Sequence, residues 1–151
     1  MIKPENLRIG DIVRVCCNCS LIEGTVCAVT EIDFETVSRD KKCFVSLNVP
    51  YDNDDGACGV WCCNIEGIPI TPEIIEKNGF KVRVSRVYYT KLIGDANFLQ
   101  RNIAIERKRN DWAVFIIYKK MPDSVLLRHI QHVHELQHIL WVLGIDTNLK
   151  I

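Results

Sequence analysis

The chain has 151 residues, of which 48% are hydrophobic and 25% are charged, and these proportions are typical of a globular protein that buries a core. It contains no apolar run of about eighteen residues and no apolar N-terminal signal segment, so we expect a cytoplasmic protein without a membrane partner. Residues 1–68 carry 6 basic and 11 acidic residues, whereas residues 69–151 carry 13 and 8. The halves therefore have net charges of about −5 and +5, which gives only weak support for nucleic-acid binding.

The first half contains short segments of alternating hydrophobicity separated by polar turns. These segments are, in order, a strand from Ile12, a hairpin over residues 24–38 that reverses at Asp33-Phe34, and strands over residues 43–49 and 60–66. Four or five short strands in about 60 residues predict a small SH3-like β-barrel over residues 1–67. Barrels of this kind bind partners more often than they catalyse reactions.

An acidic loop lies between the last two of these strands. Asp52, Asp54 and Asp55 resemble the start of a calcium-binding loop, but no glutamate follows at the spacing that such a loop needs. We therefore expect a solvated turn.

All eight cysteines precede residue 64. Without a secretory signal, the reducing cytosol favours free thiols or a metal site over disulfides. Four thiolates that could hold a structural zinc come from Cys16, Cys19, Cys58 and either Cys62 or Cys63. Small buried thiols explain the same residues without a metal, and we expect no cofactor.

The second half, residues 68–151, begins with a well-marked helix. Thr71 can cap the helix, Pro72 suits its first turn, and Asn78-Gly79 can end it. Three strands are predicted next, over residues 81–92, 98–109 and 112–120. They form a three-stranded antiparallel sheet, whose inward residues would be Val82, Val84, Ile103, Ile105, Val114 and Ile116.

The opposite face of that sheet would be basic. We expect it to carry Arg83, Arg101, Arg107 and Lys108 beside aromatic residues, an arrangement that can hold single-stranded nucleic acid. A solvated charged face is the favoured interpretation.

A long amphipathic helix is predicted over residues 123–144, and it would cover the sheet. Its apolar stripe comprises Leu126, Ile130, Val133, Leu136, Leu140 and Leu143. His129 and Gln137 project from within this stripe, so we expect both to be core residues with hydrogen-bond partners.

This helix contains the pattern H-E-x-x-H. In zinc peptidases of that pattern the two histidines, here His134 and His138, bind the metal, and the glutamate, here Glu135, is the general base. A third ligand is missing downstream, since Gly144 occupies the position where the extended pattern has another histidine. We therefore favour structural histidines, with a zinc-dependent hydrolase as the alternative.

Three blocks of the chain resemble a group of short uncharacterised proteins encoded by gut Bacteroidetes and their phages and mobile elements. The blocks are N-L-R-I-G-D over residues 6–11, I-P-I-T-P-E over residues 68–73, and V-H-E-L-Q over residues 133–137. The similar proteins typically have Asn at the position of His138 and often Gln at that of Glu135. The resemblance therefore implies a structural role for His134 and Gln137.

Together these features predict an α+β protein with an SH3-like barrel over residues 1–67 and a sheet covered by a helix over residues 68–151. We expect a non-catalytic phage or mobile-element binding or adaptor protein that acts through a protein-binding surface. A protein partner or self-association is favoured over nucleic acid. The alternatives are a zinc hydrolase and a nucleic-acid-binding protein.

Overall fold

The computed structural model describes residues 2–16, 21, 23–37, 40–48, 57–84, 87–93, 101–118 and 124–151. It divides the chain into two compact units, Met1–Ile68 and Pro69–Ile151. Each unit is built around one antiparallel sheet, and helices are few and short. The chain is therefore a small α+β protein, as predicted. Cys19, the acidic loop with Asp52, Asp54 and Asp55, and the predicted helix start at Asp123 lie outside the described residues.

The first unit contains a five-stranded sheet. Its strands are β1 (Ile12–Val15), β2 (Val26–Val37), β3 (Asp40–Asn48), β4 (Ala57–Trp61) and β5 (Ile65–Gly67), with 3-10 turns at Pro4–Asn6 and Cys62–Asn64. The strand order is β4-β3-β2-β1-β5. Alternate residues point inward and form one apolar core, comprising Ile2, Leu7, Val13, Val15, Leu21, Cys27, Val29, Cys43, Val45, Leu47, Val60, Cys62 and Ile65.

Two strand boundaries differ from the prediction. The hairpin turn expected at Asp33-Phe34 is absent, because β2 continues through these residues and pairs with β3 as far as Val37 opposite Asp40. An exposed Asp33 on the outer face is compatible with a strand whose other face is buried. The strand expected over residues 60–66 is interrupted by the 3-10 turn at Cys62–Asn64, after which Ile65 pairs with Val15.

Cys43 and Cys62 form a disulfide in this core. The β3–β4 register, in which Phe44 lies opposite Trp61, continues to this pair and brings the two Cα atoms to 5.6 Å, the usual separation for a disulfide. The expectation of free thiols or zinc ligands is therefore wrong for Cys62. That expectation was based on a reducing compartment, and the pairing register of β3 and β4 could not be known from the sequence.

The outer face of the first unit carries an aromatic pair. The rings of Phe44 and Trp61 meet edge to face with centroids 5.2 Å apart. The Phe44 ring also covers Gly59, where a Cβ atom would overlap the ring. A glycine is therefore required at this strand position, and the aromatic ring shields its backbone.

The second unit contains a second five-stranded sheet and two helices. Its elements are α1 (Pro72–Lys77), β6 (Lys81–Val84), β7 (Tyr88–Ile93), β8 (Arg101–Arg107), β9 (Trp112–Tyr118), β10 (Ser124–Ile130) and α2 (Val133–Val142). The strand order, β10-β9-β8-β7-β6, is a simple meander. The prediction of three strands was too low because the first of them is a hairpin of β6 and β7, and because β10 was assigned to the last helix.

The largest difference between the predicted and the observed fold is the strand β10. Its residues were predicted to be helical, but they pair with β9 from Ser124 opposite Ile117 to Ile130 opposite Trp112. Leu126, expected in the apolar stripe of the helix, is 47% exposed. A helical spacing of leucines arose here by coincidence, and cross-strand pairing decided the structure.

The helix α1 confirms the local signals of the sequence. The Thr71 hydroxyl accepts a hydrogen bond from the Ile74 backbone N–H at 3.4 Å, and Pro72 is the first helical residue. Gly79 follows the helix with a φ of 82°, a conformation that side chains disfavour. Ile74 and Ile75 are buried as anchors of the helix.

Asn78, at the end of α1, joins three segments of this unit. Its Nδ2 donates to the Ile74 carbonyl at 2.7 Å and to the Lys150 carbonyl at 2.9 Å. Its Oδ1 accepts from the Lys150 N–H at 2.9 Å, and its own carbonyl accepts from Lys91 Nζ at 2.9 Å. Asn78 thus fixes the C-terminal residues and β7 to the end of the helix.

The core of the second unit includes most of the predicted inward residues. Ile103, Ile105 and Val114 are fully buried, and Ile116 is 6% exposed. Val82 and Val84 were also expected inside but are 42% and 59% exposed. They lie on β6, a four-residue strand at the edge of the sheet.

Candidate functional site

The H-E-x-x-H motif spans the first half of α2. His134 is buried, with 3% of its surface exposed, and its ring centroid lies 5.9 Å from that of His138. The ring of His132, the residue before the helix, stacks on His134 at 5.6 Å. The structure therefore places three imidazoles along one end of the helix.

Glu135 caps this helix. Its Oε2 accepts backbone N–H bonds from Gln131 at 2.7 Å and from His132 at 2.9 Å, while the His132 side chain accepts from the backbone N–H of Glu135. This reciprocal arrangement is a capping box, with His132 in the place usually held by serine or threonine. The sequence pattern that corresponds to this cap is thus H-x-x-E, from His132 to Glu135.

The cap also changes the acidity of Glu135. Burial raises its pKa, but the adjacent His132 imidazole and the hydrogen bonds from the Gln131 and His132 backbones outweigh this and lower the pKa to about 2. Arg128 adds a longer ion pair at 3.8 Å. A general base works best with a pKa near the operating pH, so this carboxylate is poorly suited to abstract a proton from water.

A third metal ligand does not join the histidines in the described part of the chain. No three His, Cys, Asp or Glu side chains among these residues form a group that could hold a metal ion. Of the four thiols predicted to bind zinc, Cys62 is bonded to Cys43, and Cys58 packs against the core of the first unit. Cys16 instead lies beside Cys63, whose carbonyl is 3.8 Å from its sulfur.

The four predicted nucleic-acid-binding residues do not share one face. Arg101 and Arg107 lie on the side of the buried Ile103 and Ile105, because residues two apart on a strand share a face. Arg107 packs over the Trp112 ring at 5.7 Å.

The other two basic residues are engaged elsewhere. Lys108 pairs with Glu106 at 2.7 Å. Arg83 donates to the Thr90 hydroxyl, and Thr90 pairs with Ala104, which lies on the face opposite Ile103 and Ile105. The expected basic face is therefore divided between the two sides of the sheet.

The two polar residues expected in the core have different environments. Gln137 is 5% exposed, and its side-chain amide donates to the Thr147 carbonyl at 3.1 Å. His129, contrary to expectation, lies at the surface of β10 with 49% of its side chain exposed, and its Nδ1 is 3.1 Å from Asp111 Oδ2. The change from helix to strand explains this difference, since His129 no longer belongs to a helical stripe.

An exposed apolar segment lies on β10 and was missed by the sequence analysis. Val125, Leu126 and Leu127 are 51%, 47% and 37% exposed. The strand is at the edge of the sheet and pairs only with β9 within the described residues. Its Val-Leu-Leu run was the available signal, but the run was assigned to a helix with Leu126 in the apolar stripe.

A pocket beside β6 and β7 was also missed. It has a volume of about 390 Å³ and is lined by Gly79, Lys81, Arg83, Thr90, Lys91, Leu92 and Asn102. We call it the basic pocket, since the described residues of its lining include Lys81, Arg83 and Lys91 and no carboxylate. The sequence offered only the alternation of Lys81 and Arg83 as a signal, whereas Lys91 arrives from the neighbouring strand.

Comparisons with known proteins give no relative for this chain, since no protein-family model, curated protein or solved structure matches it. No helix among the described residues has the length and apolar character needed to cross a membrane.

Proposed function

We propose that this chain is a non-catalytic binding protein that acts through a protein-binding surface, and that this surface is the edge strand β10. The observation that carries the proposal is the exposure of Val125, Leu126 and Leu127 on a strand whose outer edge is unpaired within the described residues. An apolar edge strand offers both backbone hydrogen bonds and side-chain contacts to a strand of another polypeptide.

The occupant of this edge is a second copy of the chain. Two copies of β10 can pair antiparallel about a two-fold axis at Leu127, which makes the interface self-complementary. In that register Leu126 lies opposite Arg128 of the second copy, and Val125 lies opposite His129. Arg128 therefore does not face its own equivalent, and the repulsion of like charges that destabilises cross-strand pairs is avoided.

Glu135 supports the non-catalytic part of the proposal. Its carboxylate is used to cap α2 and has a pKa of about 2, so the motif lacks a suitable base for metal-assisted hydrolysis. Metal analysis of the purified protein tests this step. One equivalent of zinc that is lost on His138→Ala would overturn it in favour of a hydrolase.

The first unit fits an SH3-like barrel. Four consecutive strands form a meander, and the fifth returns beside the first after a single 3-10 turn, giving the order β4-β3-β2-β1-β5. This is the strand order of SH3-like barrels and supports that part of the proposal. The resemblance to proteins of gut Bacteroidetes supports a phage or mobile-element origin.

Sedimentation velocity between about 1 and 300 μM tests the proposed surface, a range chosen for interfaces of modest area. We expect the wild-type chain to dimerise in this range and Leu126→Lys to weaken dimerisation at least tenfold. Leu92→Lys is the matched control, because Leu92 is 53% exposed on β7, an interior strand of the same sheet. A wild-type chain that stays monomeric, or a control that weakens dimerisation equally, would refute the proposal.

A further inference from the structure

The basic pocket places three cations around a small volume at the edge of the second sheet. Lys81 and Thr90 are cross-strand partners, and Leu92 and Asn102 are partners one strand further into the sheet. Gly79 brings the backbone after α1 to the same place. Residues of three strands therefore line one concave surface beside a turn, which is a usual setting for a ligand site.

Arg83 is directed to this pocket by the local backbone. The β6–β7 register shifts between Val82 and Val84, so that Arg83 occupies an irregularity of the strand. Such bulges change the direction of a side chain and often lie next to binding sites. The guanidinium Nε donates to the Thr90 hydroxyl at 2.9 Å, and within the described residues its terminal N–H groups remain for a ligand.

Lys91 is also held in position. Its ammonium donates to the Asn78 carbonyl at 2.9 Å and lies 5.6 Å from the centre of the Phe80 ring. An ammonium has three N–H donors, and the Asn78 carbonyl accepts only one of them. The position of this cation is thus fixed before any ligand binds, which reduces the entropy lost on binding.

The charges of the pocket have no carboxylate partner in the part of the chain that the structure describes. Among the described residues, Lys81, Arg83 and Lys91 form no salt bridge with a carboxylate, whereas Lys108 and Arg128 of the same unit do. The second unit has a net charge of about +5, from 13 basic and 8 acidic residues. An anion is therefore attracted both by the pocket and by the surrounding unit.

We propose that the basic pocket binds the phosphoryl group of a small phosphate compound. The arginine fork and the Lys81 ammonium offer several charged N–H donors, which phosphate oxygens accept, and the Thr90 hydroxyl and Asn102 amide lie in the same lining. Leu92, which is 53% exposed, offers an apolar surface to the organic part of an ester. Nucleic acid fits less well, because Arg101 and Arg107 lie on the other side of the sheet and give no continuous track for a phosphate backbone.

The test is isothermal titration of the full chain at low ionic strength. The probes are phenyl phosphate, inorganic phosphate and a short oligothymidylate, each compared with sodium chloride at equal ionic strength. We expect one saturable site for phenyl phosphate and at least tenfold weaker binding by Arg83→Gln. Arg101→Gln is the matched control, since it removes an exposed arginine of the same sheet from outside the pocket. We expect it to retain wild-type affinity within about twofold.

The probes and a second variant distinguish the outcomes. Tighter binding of phenyl phosphate than of inorganic phosphate would identify an ester as the ligand, and equal binding would identify free phosphate. The proposal would be overturned by the absence of a saturable site at about 10 mM, or by equal losses in Arg83→Gln and Arg101→Gln. Tighter oligothymidylate binding that both variants weaken equally would also overturn it. Lys81→Gln should also weaken the binding of phenyl phosphate. Melting temperatures equal to that of the wild-type chain would exclude unfolding as the cause. Since the pocket and β10 are tested by different assays, a failure of one proposal leaves the other intact.

Discussion

Replacing Glu135 with glutamine should destabilise the second unit by about 2 kcal/mol at neutral pH. The carboxylate accepts two short backbone hydrogen bonds, and its pKa falls from 4.5 to about 2. This change corresponds to about 3 kcal/mol for a fully coupled group. Because 21% of the side chain is exposed and glutamine retains one acceptor oxygen, we expect a smaller loss, close to that of other helix caps.

The loss should depend on pH with a defined sign. The pKa of Glu135 is lower in the folded than in the unfolded chain, so its ionised form stabilises the fold above about pH 4.5. This stabilisation disappears as the pH falls from about 4.5 towards 2, and by pH 3 it should be less than half of its value at pH 7. The wild-type and Glu135→Gln chains should therefore become more similar in stability as the solution is acidified.

Urea denaturation followed by circular dichroism, at several pH values between 7 and 3, measures this difference. Glu106→Gln is a suitable control, because it removes a carboxylate from an exposed ion pair with Lys108 in the same unit. It should change the free energy of unfolding by no more than about 0.5 kcal/mol. Equal stability of the wild-type and Glu135→Gln chains at pH 7, or a difference that does not change with pH, would contradict the assigned cap.

Three further predictions concern stability, and each is measured by urea denaturation. Gly59→Ala should lower the free energy of unfolding by about 1 to 3 kcal/mol, because the alanine Cβ overlaps the Phe44 ring. Adding Phe44→Ala should relieve most of the clash, so losses that add up in the double variant would refute the predicted overlap. Reducing the Cys43–Cys62 disulfide should lower the free energy of unfolding by about 3 kcal/mol, because the bond restricts the unfolded loop between two residues with a sequence separation of 19. Mass spectrometry should find that neither cysteine is alkylated before reduction. Thr71→Ala should cost about 1 kcal/mol, whereas Thr71→Ser should cost much less.

Local signals in the sequence predicted local structure well. The start and end of α1 follow from Thr71, Pro72 and Gly79, each of which acts through its own backbone geometry or a nearby hydrogen bond. The alternation on β8 and β9 likewise predicted the buried Ile103 and Val114. In these cases the physical cause lies within a few residues of its effect, so a single sequence contains it.

Features that depend on pairing between distant segments were not predictable in this way. The segment of β10 has leucine spacings that fit either a helix or a strand, and its ladder with β9 decided between them. The partner of Cys62 was fixed by the register of β3 and β4. The interpretation of Glu135 also depended on this fold, because its cap bonds become possible only when the helix begins after His132.

The junction at Asn78 connects the end of the chain to the basic pocket. Lys150 bonds to the Asn78 side chain, and the Asn78 carbonyl holds the ammonium of Lys91. Removing the last two residues would therefore loosen the contact that holds the Lys91 ammonium, although Lys91 is distant from them in sequence.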